Sequence, residues 1–312
     1  MVTHILRRLL LMIPNIVLLT FLLFAGVTVF LGSPASVMLG QEASQEAVRQ
    51  LNLEYGFDRP VVVQYLDWMG KALQGDFGRS YSTNMSVSSA VLPAMPVTLE
   101  LAFWAIALAV VLTAVINSLP VGRRVIGSLS STLSIIGITI PNFMLGISLI
   151  YVLSVQLRWL PTTGWVPWSA GVIPHLTHLI MPVLTLSAFY FGSFTLVYRA
   201  EYRMVYRQLF IRVARAKGLS ETRVSFFHAL PNAILPVITY VGLSLGQLLG
   251  GAVVTETVFS MPGIGRLFVS SIGTHDFPVM LAIGILIIVG VMLMNLLADI
   301  LYTIVNPQVR LG

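Results

Sequence analysis

The sequence predicts an all-α integral membrane protein with six transmembrane helices and both termini in the cytoplasm. Three observations lead there. Of 312 residues, 56% are hydrophobic and only 10% are charged, against about 25% charged in a soluble domain. Lys, Arg, Asp and Glu are absent from seven long runs, 9–41, 80–99, 101–122, 125–157, 159–198, 224–255 and 278–298, and a bilayer core takes about 20 mostly apolar residues per helix. The basic residues between the runs are divided unevenly. So few charges cannot give a globule a solvated surface, which excludes a soluble enzyme, a disordered chain and a nucleic-acid binder. The net charge is +6 and there is no cysteine, so no disulfide framework or thiolate metal site is expected.

The first span, 9–31, follows Arg7 and Arg8. It is too long for a signal-peptide core of about 7–15 residues and no clear A-x-A site follows, so it reads as a retained helix. Run 80–99 is not taken as a span, because it holds Ser80, Ser82, Thr83, Asn84, Ser86, Ser88, Ser89, Pro93 and Pro96. The others are placed at 99–119, 129–156, 176–198, 232–256 and 278–302. An even number of spans puts both termini on one side. The N-terminus, the Arg123–Arg124 loop, segment 199–230 and the tail hold 12 basic residues; segments 32–96, 157–175 and 257–277 hold 6. The positive-inside rule makes the first set cytoplasmic. The chain thus divides into an N-terminal transmembrane helix (1–31), an extracytoplasmic segment between helices 1 and 2 (32–96), and a five-helix core (97–312) whose cytoplasmic loop 199–230 joins helices 4 and 5.

In the external segment, Asp58 is expected to cap, and Pro60 to open, an amphipathic helix over 60–74 that Gly75 stops. A polar helix is expected over 42–55. Such a segment either caps the bundle or offers a docking surface. Trp159, Trp165 and Trp168 in loop 157–175 read as interfacial anchors. Segment 199–230 carries most of the internal charge. Arg199–Lys217 is expected to be helical and to end at Gly218, the residue suited to a left-handed turn. Ser220 then caps a second short helix, with Glu221 at its positive end, that carries Phe226 and Phe227. Pro231 marks entry to the fifth span. Aromatics exposed beside basic residues fit a helix that docks into a groove on another protein; a basic loop that binds anionic lipid fits equally.

Ionisable groups in spans are functional candidates. Glu100, Glu256 and Asp299 all fall near interfaces. Glu256 either bonds neighbouring helices and loop backbone or lines an external gate. Pro141 and Asn142 sit mid-span, for a pathway kink or for packing. His175 and His178 share a helix face with no carboxylate nearby in sequence, and read as interfacial. No G-x-x-x-x-G-K-[ST], H-E-x-x-H or G-x-S-x-G occurs, so neither a P-loop ATPase nor a metallo- or serine hydrolase is indicated. An ion-coupled secondary transporter would want midplane carboxylates and an inverted repeat, and neither is visible.

The stretch Ala214-Arg215-Ala216-Lys217-Gly218-Leu219-Ser220, with Leu230-Pro231 a dozen residues on, resembles the EAA loop of ABC importer permeases, although the motif's Glu is missing. Tyr55-Gly56-Phe57-Asp58-Arg59-Pro60, Gly75-Asp76-Phe77-Gly78-Arg79-Ser80, Ile140-Pro141-Asn142-Phe143, Trp159-Leu160-Pro161, Glu256 to Gly265 and Asn306-Pro307-Gln308-Val309-Arg310 are similar to the dipeptide/oligopeptide/nickel branch, over nearly the whole chain. The resemblance implies a transport subunit, not an enzyme, in a bacterial cytoplasmic (inner) membrane. It implies a homologous second permease, two ATPase subunits that bind ATP and Mg, an extracytoplasmic substrate-binding protein and surrounding lipid as partners. No cofactor, metal or nucleic acid is expected in this chain. Cargo would be di- or oligopeptides, with nickel or a metal–chelate as the alternative. ATPase coupling would fall to Ala214, Ala216, Lys217, Gly218, Leu219, Phe226, Phe227, Leu230 and Pro231, and the pathway or gate to Asn142 and Glu256.

Overall fold

The computed structural model describes residues 2–31, 34–40, 43–118 and 123–305, and these are helical without a strand. The terminal match Asn306–Arg310 lies outside them, as do the side chains of Arg7, Arg8, Arg123 and Arg124.

Helix α1 (Val2–Leu31) covers the expected first span. Helix α2 (Pro34–Leu39) follows it, then α3 (Gln45–Tyr55), which is the expected polar helix. Ser44 caps α3 by accepting the Ala47 N–H, and Gly56 closes it at φ 73°, the left-handed turn that favours glycine. Helix α4 (Val61–Ala72) is the expected amphipathic helix, but Asp58 does not cap it: extended Pro60 precedes the first turn without a side-chain bond. Its buried face lies on α1. The Tyr65 hydroxyl donates to Val17 O at 3.1 Å and meets Thr20 Oγ1 at 2.8 Å, with the Phe21 and Phe24 rings edge-on to Tyr65. The segment thus caps the bundle.

Helix α5 (Val87–Ser118) starts inside the run discounted as too polar, with Pro93 and Pro96 in its interior. Its serines sit in the first turn, where hydroxyls can serve free N–H groups, and apolar packing carries the helix past both prolines: Val87, Val91 and Ala94 are buried with Val279, Ala282 and Ile283. The third span is not one helix. Helix α6 (Arg123–Thr139) stops before Pro141, and α7 (Asn142–Leu149) leaves at 105°, running into a π-helical turn, Ile150–Gln156. Proline forces the preceding residue out of the α region and Pro141 is itself extended at ψ 138°. Asn142 therefore opens a helix instead of kinking one.

Helix α8 (Val172–Tyr206) is the centre of the bundle: 67% of its apolar window is buried, against 17% for α1. It packs so tightly on α6 that a Cβ on Gly137 or Gly192 would stand 2.5 Å from a backbone carbonyl of the other helix, the close approach that small residues permit in membranes. Arg199 extends from α8 to Ser130 and Ser131 of α6. After α8 come α9 (Leu209–Ala216), α10 (Glu221–Val224), a π-helical turn Ser225–Ala229, and α11 (Leu230–Val258). An unexpected α12 (Ile264–Gly273) precedes α13 (Phe277–Val305). Among the described residues, five helical stretches are long and apolar enough to cross a membrane, and six spans result if the bent pair α6–α7 is one.

Helix direction sorts the connections onto two ends. One end carries α2–α4, the tryptophan loop and α12. The other carries α9 and α10. At the first end Asp276, 2% exposed, fastens distant parts of the chain: it accepts the Ser80 and Ser82 hydroxyls at 2.5 and 2.8 Å and the Tyr81 N–H at 3.1 Å.

Candidate functional site

The segment 199–230 is built differently from its expected form. Arg199–Lys217 is not one helix. Its first part continues α8 to Tyr206, the chain turns at Arg207–Gln208, and α9 follows. Gly218 then stands at φ +80° with nothing within 4 Å of the position a Cβ would take. Backbone conformation, not crowding, asks for glycine there. Ser220 accepts the Arg223 N–H and Glu221 occupies the first turn, as the sequence indicates. The second helix is not separate: from Glu221 it runs through the π-helical turn into α11, so Pro231 stands in the first turn of α11 but in the third turn of one continuous helix.

Ala214 is buried and Leu219 and Leu230 are half-buried, forming the base on which the turn rests. Ala216, Lys217, Gly218 and Pro231 are exposed. Phe227 is 74% and Phe226 38% exposed, with Leu209 and Val213 of α9 also uncovered. These residues form a protruding surface with apolar and basic groups interleaved. A stack of tyrosines supports it. Tyr198 lies 5.7 Å from Tyr202 and Tyr202 5.1 Å from Tyr206 by ring centroids, and Arg215 sits 4.5 Å above the Tyr206 ring. Glu221 receives the Tyr206 hydroxyl and pairs with Arg215 Nε at 2.7 Å. The Tyr202 hydroxyl is 2.6 Å from Ser225 Oγ. The bond to Glu221, and next that to Tyr206, raises the Arg215 pKa further above its ordinary value. Sequence reasoning passed over this clasp, although 198, 202 and 206 carry its signal, one helical face at i, i+4.

Glu256 lies at the opposite end of α11, whose 29 residues span roughly 43 Å. It is 0% exposed. Thr98 donates to its Oε1 at 2.5 Å, and the Arg266 N–H donates to Oε2 at 3.0 Å; Thr98 Oγ1 in turn accepts the Ile264 N–H at 2.9 Å. The carboxylate thus satisfies the open N–H groups of α12, which is the bonding reading of Glu256. Asn142, half-buried at the start of α7, is remote in sequence and bonding from this knot. A cavity of about 410 Å³ lies instead between α11 and α13, with Gln247 and Asn295 as its polar lining.

His175 has the carboxylate neighbour that sequence proximity did not supply. Its Nδ1–H donates to Val166 O at 2.6 Å and its Nε2 lies 3.0 Å from Glu100 Oε1. Trp168 stacks on the imidazole at 3.8 Å and donates to the same Glu100 oxygen at 2.8 Å; Trp165 meets the ring edge-on. These two tryptophans fold the loop onto α5 and α8. Trp159 is 70% exposed. No three metal-ligating side chains cluster among the described residues.

Comparison with known proteins accords with this geometry. The family described as "Binding-protein-dependent transport system inner membrane component" matches residues 119–311, and its N-terminal counterpart matches residues 1–102. The oligopeptide transport system permease protein AppB of Bacillus subtilis is 38% identical over 99% of this chain and 100% of its own length. The glutathione transport system permease protein GsiC of Escherichia coli (strain K12) is 36% identical over 99% of each. A crystal structure of an amino acid ABC transporter with histidines aligns with a TM-score of 0.52 at 16% identity, over 70% of this chain and 92% of that one; that likeness concerns the fold alone. These findings displace the ion-coupled secondary transporter. The chain belongs to the inner-membrane components of binding-protein-dependent transport systems, and is a multi-pass permease subunit of an ABC importer.

Proposed function

We propose that this permease carries peptides inward, with the α2–α4 end outside the cell and the α9–α10 turn inside it. The charge distribution supports that orientation. The observation that carries the coupling role is the pair Phe226 and Phe227, uncovered on a braced turn at the foot of a continuous span. Two ATPase subunits that bind ATP and Mg offer a groove for this turn, as a helix-in-groove contact requires. Ala214, Leu219 and Leu230 set its angle, Ala216, Lys217 and Gly218 shape its tip, and Phe226, Phe227 and Pro231 meet the groove.

The translocation path runs between this chain and a homologous second permease, along the α11 face that exposes Leu243, Gln247, Gly250 and Val254. A primary amide facing lipid would be costly, so Gln247 supports a partner or an aqueous path on that side. An extracytoplasmic binding protein delivers the cargo. Its peptide nature rests on relatives named for oligopeptide and glutathione transport.

The test is uptake of a labelled tripeptide and a labelled pentapeptide into proteoliposomes holding both permeases, both ATPases and the binding protein. ATP-dependent peptide uptake is expected, and nickel uptake without peptide uptake would overturn the cargo. Cysteines placed at Ser44 and Ser220 should react with an impermeant thiol reagent from outside and inside respectively; the reverse pattern would overturn the orientation.

A further inference from the structure

Tyr65 fixes the depth of α4. The apolar stretch of α1 runs from Leu9 to Phe30, roughly 33 Å of helix and about the thickness of a hydrocarbon core. The apolar stretch of α13 begins at Phe277. A Cβ on Gly284 of α13 would touch Leu23 of α1, and Phe277 and Phe30 both lie roughly 10 Å above that contact. Two neighbouring spans thus put the outer edge of the core at one level. The Tyr65 ring lies 5.3 Å from the Phe21 ring and 5.8 Å from the Phe24 ring, roughly 14 and 9 Å below that edge. Its hydroxyl reaches deeper still, to Val17 O and Thr20 Oγ1, the partners that a phenol needs away from water. The backbone of α4 therefore stands within one side chain's length of that depth, in the outer half of the core.

At about 100° per residue, α4 has three faces besides the one that Tyr65 turns to α1. Val62, Leu66 and Leu73 lie about 60–100° to one side of Tyr65. Leu66 is 61% and Leu73 81% exposed, and Val62 is exposed with them. Asp67, Gly70 and Lys71 lie opposite Tyr65 and are exposed, and Arg59 pairs with Asp67 at 3.4 Å. Trp68 takes the remaining flank, with its ring against Phe24. The Tyr65 side chain runs from the level of Phe24 towards that of Val17 O, so the charged face opposite it points out of the membrane and the apolar stripe points along it. That is the arrangement of an interfacial helix, apolar to the acyl region and charged to water. The edge is peripheral: α1 is the least buried of the five long stretches, and its Leu18, Leu22 and Val29 are uncovered as well. A second permease seated along α11 would not reach the stripe. A binding protein arriving from the aqueous side would meet Asp67 and Lys71 first.

We propose that α4 lies in the plane of the membrane within the outer leaflet, with Val62, Leu66 and Leu73 among lipid acyl chains and Asp67 and Lys71 turned to headgroups and water. The occupant of the stripe is hydrocarbon, so no particular headgroup is required. The segment between α1 and α5 is then an immersed collar on the bundle and not a wholly aqueous cap. Which leaflet holds α4 rests on the orientation proposed above, whereas its contact with lipid does not. The thiol labelling of position 44 decides the first and the experiment below decides the second, so the two readings fail separately.

The test uses the assembled transporter in lipid nanodiscs, with one nitroxide at a time on a cysteine introduced into this cysteine-free chain. Leu66→Cys and Leu73→Cys report the stripe, and Val62→Cys reports the same face should either of them fail to assemble. Lys71→Cys reports the opposite face of α4, and Glu46→Cys reports α3. Power-saturation spectroscopy measures collision of each nitroxide with oxygen, which concentrates in hydrocarbon, and with chromium oxalate, which stays in water. Labels on the stripe should show a ratio of oxygen to oxalate collisions at least about threefold above those at positions 71 and 46, since the core excludes water. Equal ratios at all positions, or ready collision of the stripe with oxalate, would place the stripe in water and overturn the proposal. Stripe labels shielded from both reagents would show that a protein covers them, and would overturn it equally.

Discussion

The Glu256 carboxylate, in the last turn of α11, accepts the backbone N–H of Arg266 in the first turn of α12. One helix end thereby caps the next, and Thr98 of α5 closes the knot from a third side.

Glu256→Ala would strand the Arg266 N–H and the Thr98 hydroxyl in a fully buried place, at a cost on the order of 3 kcal/mol. The packing is equally strict, since a Cβ on Gly265 would stand 2.5 Å from Val253 Cα, whereas one on Gly273 meets nothing within 4 Å. Glu256→Ala and Gly265→Ala should both lower the melting temperature of the detergent-solubilised permease. Gly273→Ala should leave it unchanged or raise it. A melting temperature unmoved by Glu256→Ala would show that the knot carries no stability.

Phe227 makes little contact within the chain, so Phe227→Ala should leave expression, insertion and melting unchanged while reducing co-purification of the ATPases at least tenfold. Gly218→Asp places a Cβ in the left-handed region, at a cost of about 1 kcal/mol, and sets a charge on the tip of the turn. It should insert normally and abolish uptake. Normal uptake by both variants at matched expression would return the turn to the other reading, a basic loop for lipid heads.

The clasp of Tyr206, Arg215 and Glu221 should matter for coupling more than for assembly. Glu221→Ala frees α9 from α10 without touching Phe226 or Phe227. The expected result is ATPase activity that persists with less substrate moved per ATP. The swapped pair Arg215→Glu with Glu221→Arg should recover part of that ratio. An unchanged ratio in Glu221→Ala would remove the clasp from the transport cycle.

Tyr81 offers a pH signature at the far end. Burial first, then the nearby Asp276, push its phenol up to about 12 from an ordinary value near 10. The folded state thus holds the proton that the unfolded chain releases, and the corresponding stability is present below about pH 10 and falls as pH rises towards 12. Alkaline titration followed by tyrosinate absorption and by melting should show this loss in wild type and a shallower one in Tyr81→Phe. Identical alkaline profiles would sink the assignment.

The spans were legible because charge avoidance over some 20 residues has one physical meaning. The cap at Ser220 and the turn at Gly218 were legible for a local reason, whereas the cap at Ser44 and the turn at Gly56 emerged only in the structure. The contacts that decide the sites were not legible. Asp276 and Ser80 are far apart in sequence, as are Glu256 and Thr98, and neither pair leaves a local trace. Pro141 was read as a pathway kink or a packing site, and the structure has a full break there instead, bent by 105°. Helix α12 was missed because its ten residues are too short for a span and sit where a loop suffices. The α9–α10 turn could be found from Gly218 and its neighbours, but its brace could not, since Arg215 and Glu221 look like unrelated surface charges until the turn brings them together.

The continuity of α11 has a mechanical consequence. The third span is broken at Pro141, whereas α11 joins the α9–α10 turn to the Glu256 knot as one rod. A rod roughly 43 Å long that tilts by about 5° about its middle displaces each end by about 2 Å in opposite senses. If Phe227 meets an ATPase as proposed, a push there would reach α12 through the backbone of this helix, with no intervening relay of side chains.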